Sequence, residues 1–336
     1  MSEAATPSAP TWIRWCARLI RWMPAGRYRT IARLCRNPPP QFRIRMSPNL
    51  GSQWFLCDLR DSIAREVCFT GMYEPQETAV VRAILKPGMS FVDVGANWGY
   101  FTLLAAHLVS AQGRILSLEP DPRLFRKLET NAAMNRREQV RVLQTAAADT
   151  PGSLTLVGFD EAQGNFGLSR IVGEGDAHLF TDAKCTNLSI ENGLLPRSQK
   201  DECPLFRVLA RPLDDLLVEA GFDSVDLLKM DIEGAEGMAL KGMRQTLKGR
   251  RIRHLLLELH PAQLAERGQS ATDIIQQLRG YGYVGWRIDH SAQQNRRSAY
   301  CRTTSLRDIL RPLDSNHGLD QWPHLLWVLP DTELAW

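Results

Sequence analysis

Phe91-Val92-Asp93-Val94-Gly95-Ala96-Asn97-Trp98-Gly99-Tyr100 reads as a short apolar strand, a glycine-bearing turn and the start of a helix. Glycine at such a turn lets the backbone come close to a ligand, and the helix that follows offers N–H groups to an anion. The pattern repeats outward, with helix signals over 100–109, a strand at 114–118, a helix over 122–135 and a third strand at 140–144. Strands and helices alternating at this spacing predict βαβ units, right-handed crossovers and a parallel sheet. Residues 158–206 carry no sustained period and read as an insertion near the substrate. The rhythm then resumes with a helix at 213–220, strand 225–230, helix 236–248, strand 252–258, helix 271–281 and strands near 283–288 and 325–329. The expectation is an α/β fold with about seven core strands. Upstream, helices are predicted at 12–23, 27–36 and 75–85, with two short strands near 41–46 and 53–59.

The turn reads G-x-N-x-G with Asp93 two residues ahead of Gly95, and so departs from the G-x-G-x-x-G of dinucleotide binders. It resembles motif I of the class I S-adenosylmethionine methyltransferases, whose donor carries an amino-acid carboxylate and amine in place of a pyrophosphate. On that resemblance the N–H groups across Gly95, Ala96, Asn97 and Gly99, with Tyr100 opening the helix, suit the carboxylate. Asp93 suits the ammonium, directly or through water. The second strand ends at Glu119-Pro120, where a carboxylate can accept from ribose hydroxyls; Glu119 is read that way rather than as a helix cap. Small residues around Ala146, after the third strand, leave room for a flat adenine ring.

The resemblance becomes specific along the chain. Gly71-Met72-Tyr73-Glu74, the Val92–Tyr100 turn, Glu119-Pro120, Asn131 and Asn135, Leu228-Lys229-Met230-Asp231-Ile232-Glu233-Gly234-Ala235-Glu236 and Leu256-Leu257-Glu258 look like the FkbM-type methyltransferase family. The match covers roughly residues 70–260, and the K-x-D-x-E-G-A-E string is its most specific part. It implies a class I methyltransferase fold, Rossmann-like, with a seven-stranded mostly parallel sheet flanked by helices and an antiparallel last strand pair. It also implies S-adenosylmethionine as cofactor and methylation of a hydroxyl on a sugar or glycan, a polyketide or a related secondary metabolite. The rivals are N- or carboxyl-methylation, and a non-catalytic scaffold that binds the same cofactor.

Methyl transfer is an in-line displacement from a sulfonium, and alignment can supply up to about 7–11 kcal/mol of the barrier. A hydroxyl acceptor also needs its proton removed, for which a base adds about 10²–10⁴-fold. Asp231, beyond the fourth strand, is the first candidate, with Glu233, Glu258 and His260 behind it. Lys229 within a central strand is a buried ammonium that must be paired, and Glu258 is a candidate partner. The opposing interpretation makes the group a structural ion-pair network around Lys229. Asp231, Glu258 and His260 are also donor types a divalent ion accepts; no spacing rule supports such a site, and no metal is assigned. Tyr73 and Glu74 either fold over the cofactor or, in the case of Glu74, cap the helix at 75–85.

The 336 residues carry a formal charge of +4, which conceals a split. Residues 1–45 hold nine arginines and only Glu3 as an acid, summing to +8, so residues 46–336 sum to −4. The chain is therefore read as a basic helical arm, 1–45, ahead of a methyltransferase domain, 46–336. Residues 1–10 look like a disordered tail. In the first helix Trp12, Trp15, Cys16, Leu19, Ile20 and Met23 form one face. That face is expected to dock on the body or a second subunit, making a homo-oligomer, or else to lie at a membrane interface. The acidic body and the lack of a recognised binding motif argue against nucleic acid as a partner; the acceptor is a small molecule or glycan. Seven cysteines, widely spaced and without a C-x-x-C pair, argue against a disulfide framework or zinc site. With no signal peptide or membrane span, the expected location is the cytoplasm, or peripherally at the inner membrane face.

Overall fold

Eight strands form the central sheet in the computed structural model, which describes residues 6–23, 26–158, 169–172, 204–300, 304–313, 319, 322–332 and 334. Their order is Leu310–Pro312, Val284–Ile288, His324–Val328, Ile252–Glu258, Val225–Met230, Ser90–Val94, Arg114–Leu118 and Val140–Leu143. The run from Ile252–Glu258 to Val140–Leu143 is parallel throughout. His324–Val328 lies antiparallel to both its neighbours, so of the expected reversed pair it alone is turned, and Val284–Ile288 runs with the parallel strands. All seven expected strands are present. The eighth, Leu310–Pro312, adds a three-residue antiparallel edge that ends in proline. Such a piece is too short to show in a period, and proline suits an edge strand because it has no N–H to pair.

Both faces of the sheet are covered, as parallel strands require. Phe91, Ile115, Leu227 and Leu256 point into one apolar cluster, and Val92, Leu116, Leu228 and Leu255 into the other. Strand order reverses between Ser90–Val94 and Val225–Met230. The crevice outside the carboxyl ends at such a switch point is where open α/β sheets bind ligands.

A second sheet follows the order Ala146–Ala147, Leu205–Arg211, Gly152–Val157, Arg170–Val172. Most of the expected insertion at 158–206 lies outside the described residues; those described include strand Arg170–Val172 and the beginning of Leu205–Arg211. The predicted helix 236–248 is two helices, Glu236–Lys241 and Arg244–Lys248. The break falls at Gly242, where a Cβ would run into the Ala148 carbonyl.

The arm departs most from expectation. Residues 7–9 run beside strand Phe42–Arg45, with Arg43 N–H donating to Pro7 O at 2.8 Å and Ala9 N–H to Arg43 O at 3.0 Å, so this part of the expected tail is ordered. Helix Thr11–Arg21 turns Ile13, Ala17 and Ile20 inward, into the apolar cluster that also holds Phe91. The expected face is split: Ile20 is buried and Cys16 and Met23 pack on the core, while Trp12, Trp15 and Leu19 are 45%, 60% and 68% exposed. Apolar residues sit at helical spacing on both faces of this helix, so the period cannot choose between them, and packing does. No helix among the described residues is long and apolar enough to cross a membrane.

Candidate functional site

At the carboxyl ends of the central strands lies a cavity of about 270 Å³. Its wall brings together segments far apart in sequence: Gly95, Ala96, Asn97 and Tyr100; Glu119 and Pro120; Ala146; Lys229, Asp231 and Glu233; Glu258 and His260; and Tyr73 with Glu74. Of the residues singled out from the sequence, Asp93 and Gly99 stand outside the wall.

The turn is built differently from its sequence reading. Gly95 and Gly99 have φ of +80° and +82°. A Cβ on Gly95 would strike the Asp231 carbonyl, and one on Gly99 would meet Leu128 Cδ1 at 2.6 Å. The glycines thus let the turn wedge between strand end and helix, and a ligand's approach is not what demands them. The N–H groups offered to a carboxylate are also spent. Gly95 and Ala96 donate to Leu118 O, Asn97 to Glu119 Oε2 at 2.8 Å, Trp98 to Asn97 Oδ1, and Gly99 to Ala96 O. An anion here must be met instead by the first turn of helix Tyr100–Leu108, whose leading N–H groups have no partner inside the helix.

Asp93 is likewise corrected. Its carboxylate is buried beneath the turn, accepting from Thr102 Oγ1 at 2.7 Å, while Oδ1 has no hydrogen-bond partner. It sits in register with Lys229 on the adjacent strand, and its charge helps hold that ammonium in its protonated form. Glu119 accepts from Asn97 N–H and, at 2.9 Å, from Asp121 N–H, one bond on each oxygen. The helix cap after it is Asp121, which accepts from Arg123 N–H. Burial pushes the Glu119 carboxyl up to about 8, against those N–H donors. Glu74 occupies the N-cap position of helix Pro75–Ile84 but makes no side-chain cap bond. It faces the cavity instead, and burial raises it to about 7 against the pull of Lys229.

Charges crowd the opposite wall. Strand Val225–Met230 stops before Asp231, and Glu233 and Gly234 turn the chain at φ of +50° and +93°. Lys229 pairs with Asp231 Oδ2 at 3.4 Å, the candidate partner Glu258 acting on it only through its charge, and its ammonium lies 4.8 Å from the Phe101 ring centre. Burial would lower the Lys229 pKa, but Asp231, Glu74 and the other carboxylates around it raise it above its ordinary value. Burial works against the Asp231 carboxylate too, yet Lys229 and His260 hold it below its usual range. His260 Nδ1 meets Glu236 Oε1 at 2.8 Å, and its Nε2 lies 3.4 Å from Glu233, 3.7 Å from Glu258 and 3.9 Å from Asp231. Burial alone would lower this imidazole; the Glu236 bond and the surrounding carboxylates carry it to about 10. Glu258 goes up to about 8, through burial first and the neighbouring Asp231 charge second. Asp231, Glu258 and His260 each bring a ligand atom within 4.8 Å of the others, close enough to hold a divalent ion. At neutral pH the cations His260 and Lys229 already neutralise the carboxylates there.

Sequence reading missed the layer behind this wall. His324, at the start of the reversed strand, is in register with Glu258, and its Nε2 lies 3.5 Å from Glu258 Oε1. Its Nδ1 meets Glu77 Oε1 at 2.9 Å; that oxygen also meets His290 Nε2 at 2.7 Å, and the two imidazoles stack with centres 4.1 Å apart. Burial opposes a protonated His324, but Glu258 and Glu77 raise it to about 10. Glu77 is buried on a helix whose apolar face gave no reason to single out one acid. Only strand pairing and packing bring residues 77, 258, 290 and 324 together.

The family model of the methyltransferase FkbM domain matches residues 93–284. Methyltransferase sdnD of Sordaria araneosa is 32% identical over 157 residues, 45% of this chain and 59% of that protein. The 31-O-demethyl-FK506 methyltransferase FkbM of Streptomyces tacrolimicus is 28% identical over 210 residues, 60% of this chain and 74% of that protein. The 2-O-methyltransferase NoeI of Sinorhizobium fredii is 28% identical over 174 residues, 50% of this chain and 63% of that protein. The chain thus spans less than two thirds of two of these three relatives. With the domain model covering more than half of its residues, on a sheet whose switch-point cavity gathers the motif side chains, this chain belongs to the FkbM methyltransferase family.

Proposed function

We propose that this protein is an S-adenosylmethionine-dependent O-methyltransferase acting on a hydroxyl of a sugar or glycan, a polyketide or a related secondary metabolite. The observation that carries the reading is one cavity with Glu119 on one side and the Glu258 carboxylate, held at about 8, on the other. Each Glu119 oxygen accepts one backbone N–H and keeps a lone pair for a ribose hydroxyl. Ala146 and its neighbours leave space for a flat ring. When bound, S-adenosylmethionine supplies a methyl group already activated on a sulfonium. FkbM and NoeI, as named, act on oxygen, which favours a hydroxyl over nitrogen.

In this reading Glu258 would take the proton of the acceptor hydroxyl, so that its oxygen could receive the methyl group the bound cofactor would supply. Asp231 is the first candidate from the sequence, but a carboxylate held low by Lys229 is a weak base. Asp231 is better suited to accept a hydrogen bond that orients the acceptor. Glu77 holds His324, and His324 holds Glu258, in one line reaching back from the cavity.

Calorimetric titration with S-adenosylhomocysteine tests the cofactor half of the proposal: saturable binding is expected, weakened at least about tenfold in Glu119→Ala by the loss of two ribose hydrogen bonds. Absent binding would overturn it. A labelled methyl donor offered with panels of hydroxylated glycans and polyketides tests the acceptor half. Label transferred only to amines or carboxylates would move the reaction to those groups, and binding without transfer to any acceptor would favour the scaffold role.

A further inference from the structure

Helix Thr11–Arg21 is held to the body by Ile13, Ala17 and Ile20, which leaves Trp12, Trp15 and Leu19 facing outward. A groove of about 480 Å³ separates this helix from strand Phe42–Arg45 and is lined by Arg14, Arg18, Arg43, Arg45, Trp15 and Trp54. Arg43 and Arg45 lie 4.5 and 4.0 Å from the centre of the Trp54 ring, and the Arg43 Nε is buried with no acceptor. No carboxylate lines the groove among the described residues, and the sequence has none between Glu3 and Asp58.

We propose that this face binds an anionic membrane surface. Tryptophan favours the boundary between headgroups and acyl chains, and arginine the phosphates just above it. Trp12, Trp15 and Leu19 supply the apolar contact, and the arginine-lined groove receives lipid phosphate. The helix lies along the surface, since none of the described helices is fit to span it. A second copy of the chain is the weaker occupant: two-fold docking would set these arginines against their own copies with no acid to meet them. The groove shares no lining residue with the cavity at the strand ends, so the inference holds whatever that cavity binds.

The full-length chain is floated with phosphatidylcholine vesicles, with and without phosphatidylglycerol, while light scattering reports its mass. It is expected to float as a monomer with the phosphatidylglycerol vesicles, and to be released at molar salt, where screening acts within about 3 Å. Trp15→Ser/Leu19→Ser removes exposed side chains only; it should keep the wild-type circular dichroism and lose partitioning roughly tenfold. Arg14→Gln/Arg18→Gln should lose roughly 25-fold. Failure to float, or flotation unchanged in both variants, would overturn the proposal. So would a dimer that Trp15→Ser/Leu19→Ser dissociates. Release by inorganic phosphate at constant ionic strength, with Trp15→Ser/Leu19→Ser floating like wild type, would mark a free-anion site and also overturn it.

Discussion

In the proposed reaction Glu258 is the base, tuned by its surroundings. Burial and the Asp231 charge place it at about 8, so it gains its ionised form as pH rises through that value. His260 and His324 stand at about 10 and lose their protons above it. The rate of methyl transfer should therefore climb through about 8 and fall toward about 10. In Glu258→Gln it should drop by about 10²–10⁴-fold and lose the lower limb, read from kcat/KM against pH; a variant that keeps that limb would remove Glu258 from the proton-transfer role. Excess EDTA should leave activity intact, because Lys229 and His260 neutralise the carboxylates that a metal would otherwise need; inactivation reversed by added divalent ion would show the opposite. Behind the wall, Glu77 is pushed up by burial but held well below its usual value by His324 and His290. A depressed carboxylate stabilises the fold above its unfolded pKa and ceases to as pH falls. The raised His324 stabilises below its unfolded pKa, about 6.5, and ceases to as pH rises through about 10. Glu77→Gln should thus cost about 3–5 kcal/mol near pH 6, with the gap from wild type narrowing toward about 10. Urea midpoints at the two pH values measure it.

The turn after strand Ser90–Val94 is a packed joint. Gly95 lies against the Asp231 carbonyl, Gly99 against Leu128, and Asn97 N–H is tied to Glu119, so three strand ends are locked to one another. Gly95→Ala places a side chain on a residue with φ of +80° and drives it into the Asp231 backbone. The left-handed conformation and the overpacking together should cost at least about 2 kcal/mol. Because Asp231 must shift, S-adenosylhomocysteine binding and methyl transfer should fall with stability. An unchanged urea midpoint with unchanged binding would show that the joint yields freely.

Arm and body share one apolar cluster in this fold, although their formal charges of +8 and −4 suggested two separate pieces. Ile13, Ile20 and Ile31 from the arm are buried in the cluster that backs the central sheet. Burying a large apolar side chain contributes about 1.5–3 kcal/mol, and a whole domain is stable by only about 5–15 kcal/mol. A chain beginning at residue 46 should therefore melt far below the full-length protein or aggregate on expression. A truncated chain that unfolds at the wild-type temperature would restore the arm as a separate piece. The basic charge that looked like a tail property is instead displayed on a surface the core holds in place.

The alternation of strand and helix and the turn at 91–100 were legible in the sequence because they rest on local periodicity and backbone sterics over a few residues, and the motif residues at 119, 229–233 and 258–260 because they stand at strand ends and carry the family resemblance. That reading singled out about half of the cavity wall. It erred where several partners were available. Lys229 took Asp231 ahead of the candidate Glu258, the loop N–H groups turned to Leu118 and Glu119, and the first helix buried Ile13 beside Ile20 with its tryptophans outward. It could not reach Glu77, His290 and His324 at all. Their meeting depends on the antiparallel register that sets His324 beside Glu258, and on helix Pro75–Ile84 packing where Glu77 meets both rings. Hydrogen bonds and apolar contacts between distant segments are chosen by competition in the packed chain, so only the tertiary structure decides them.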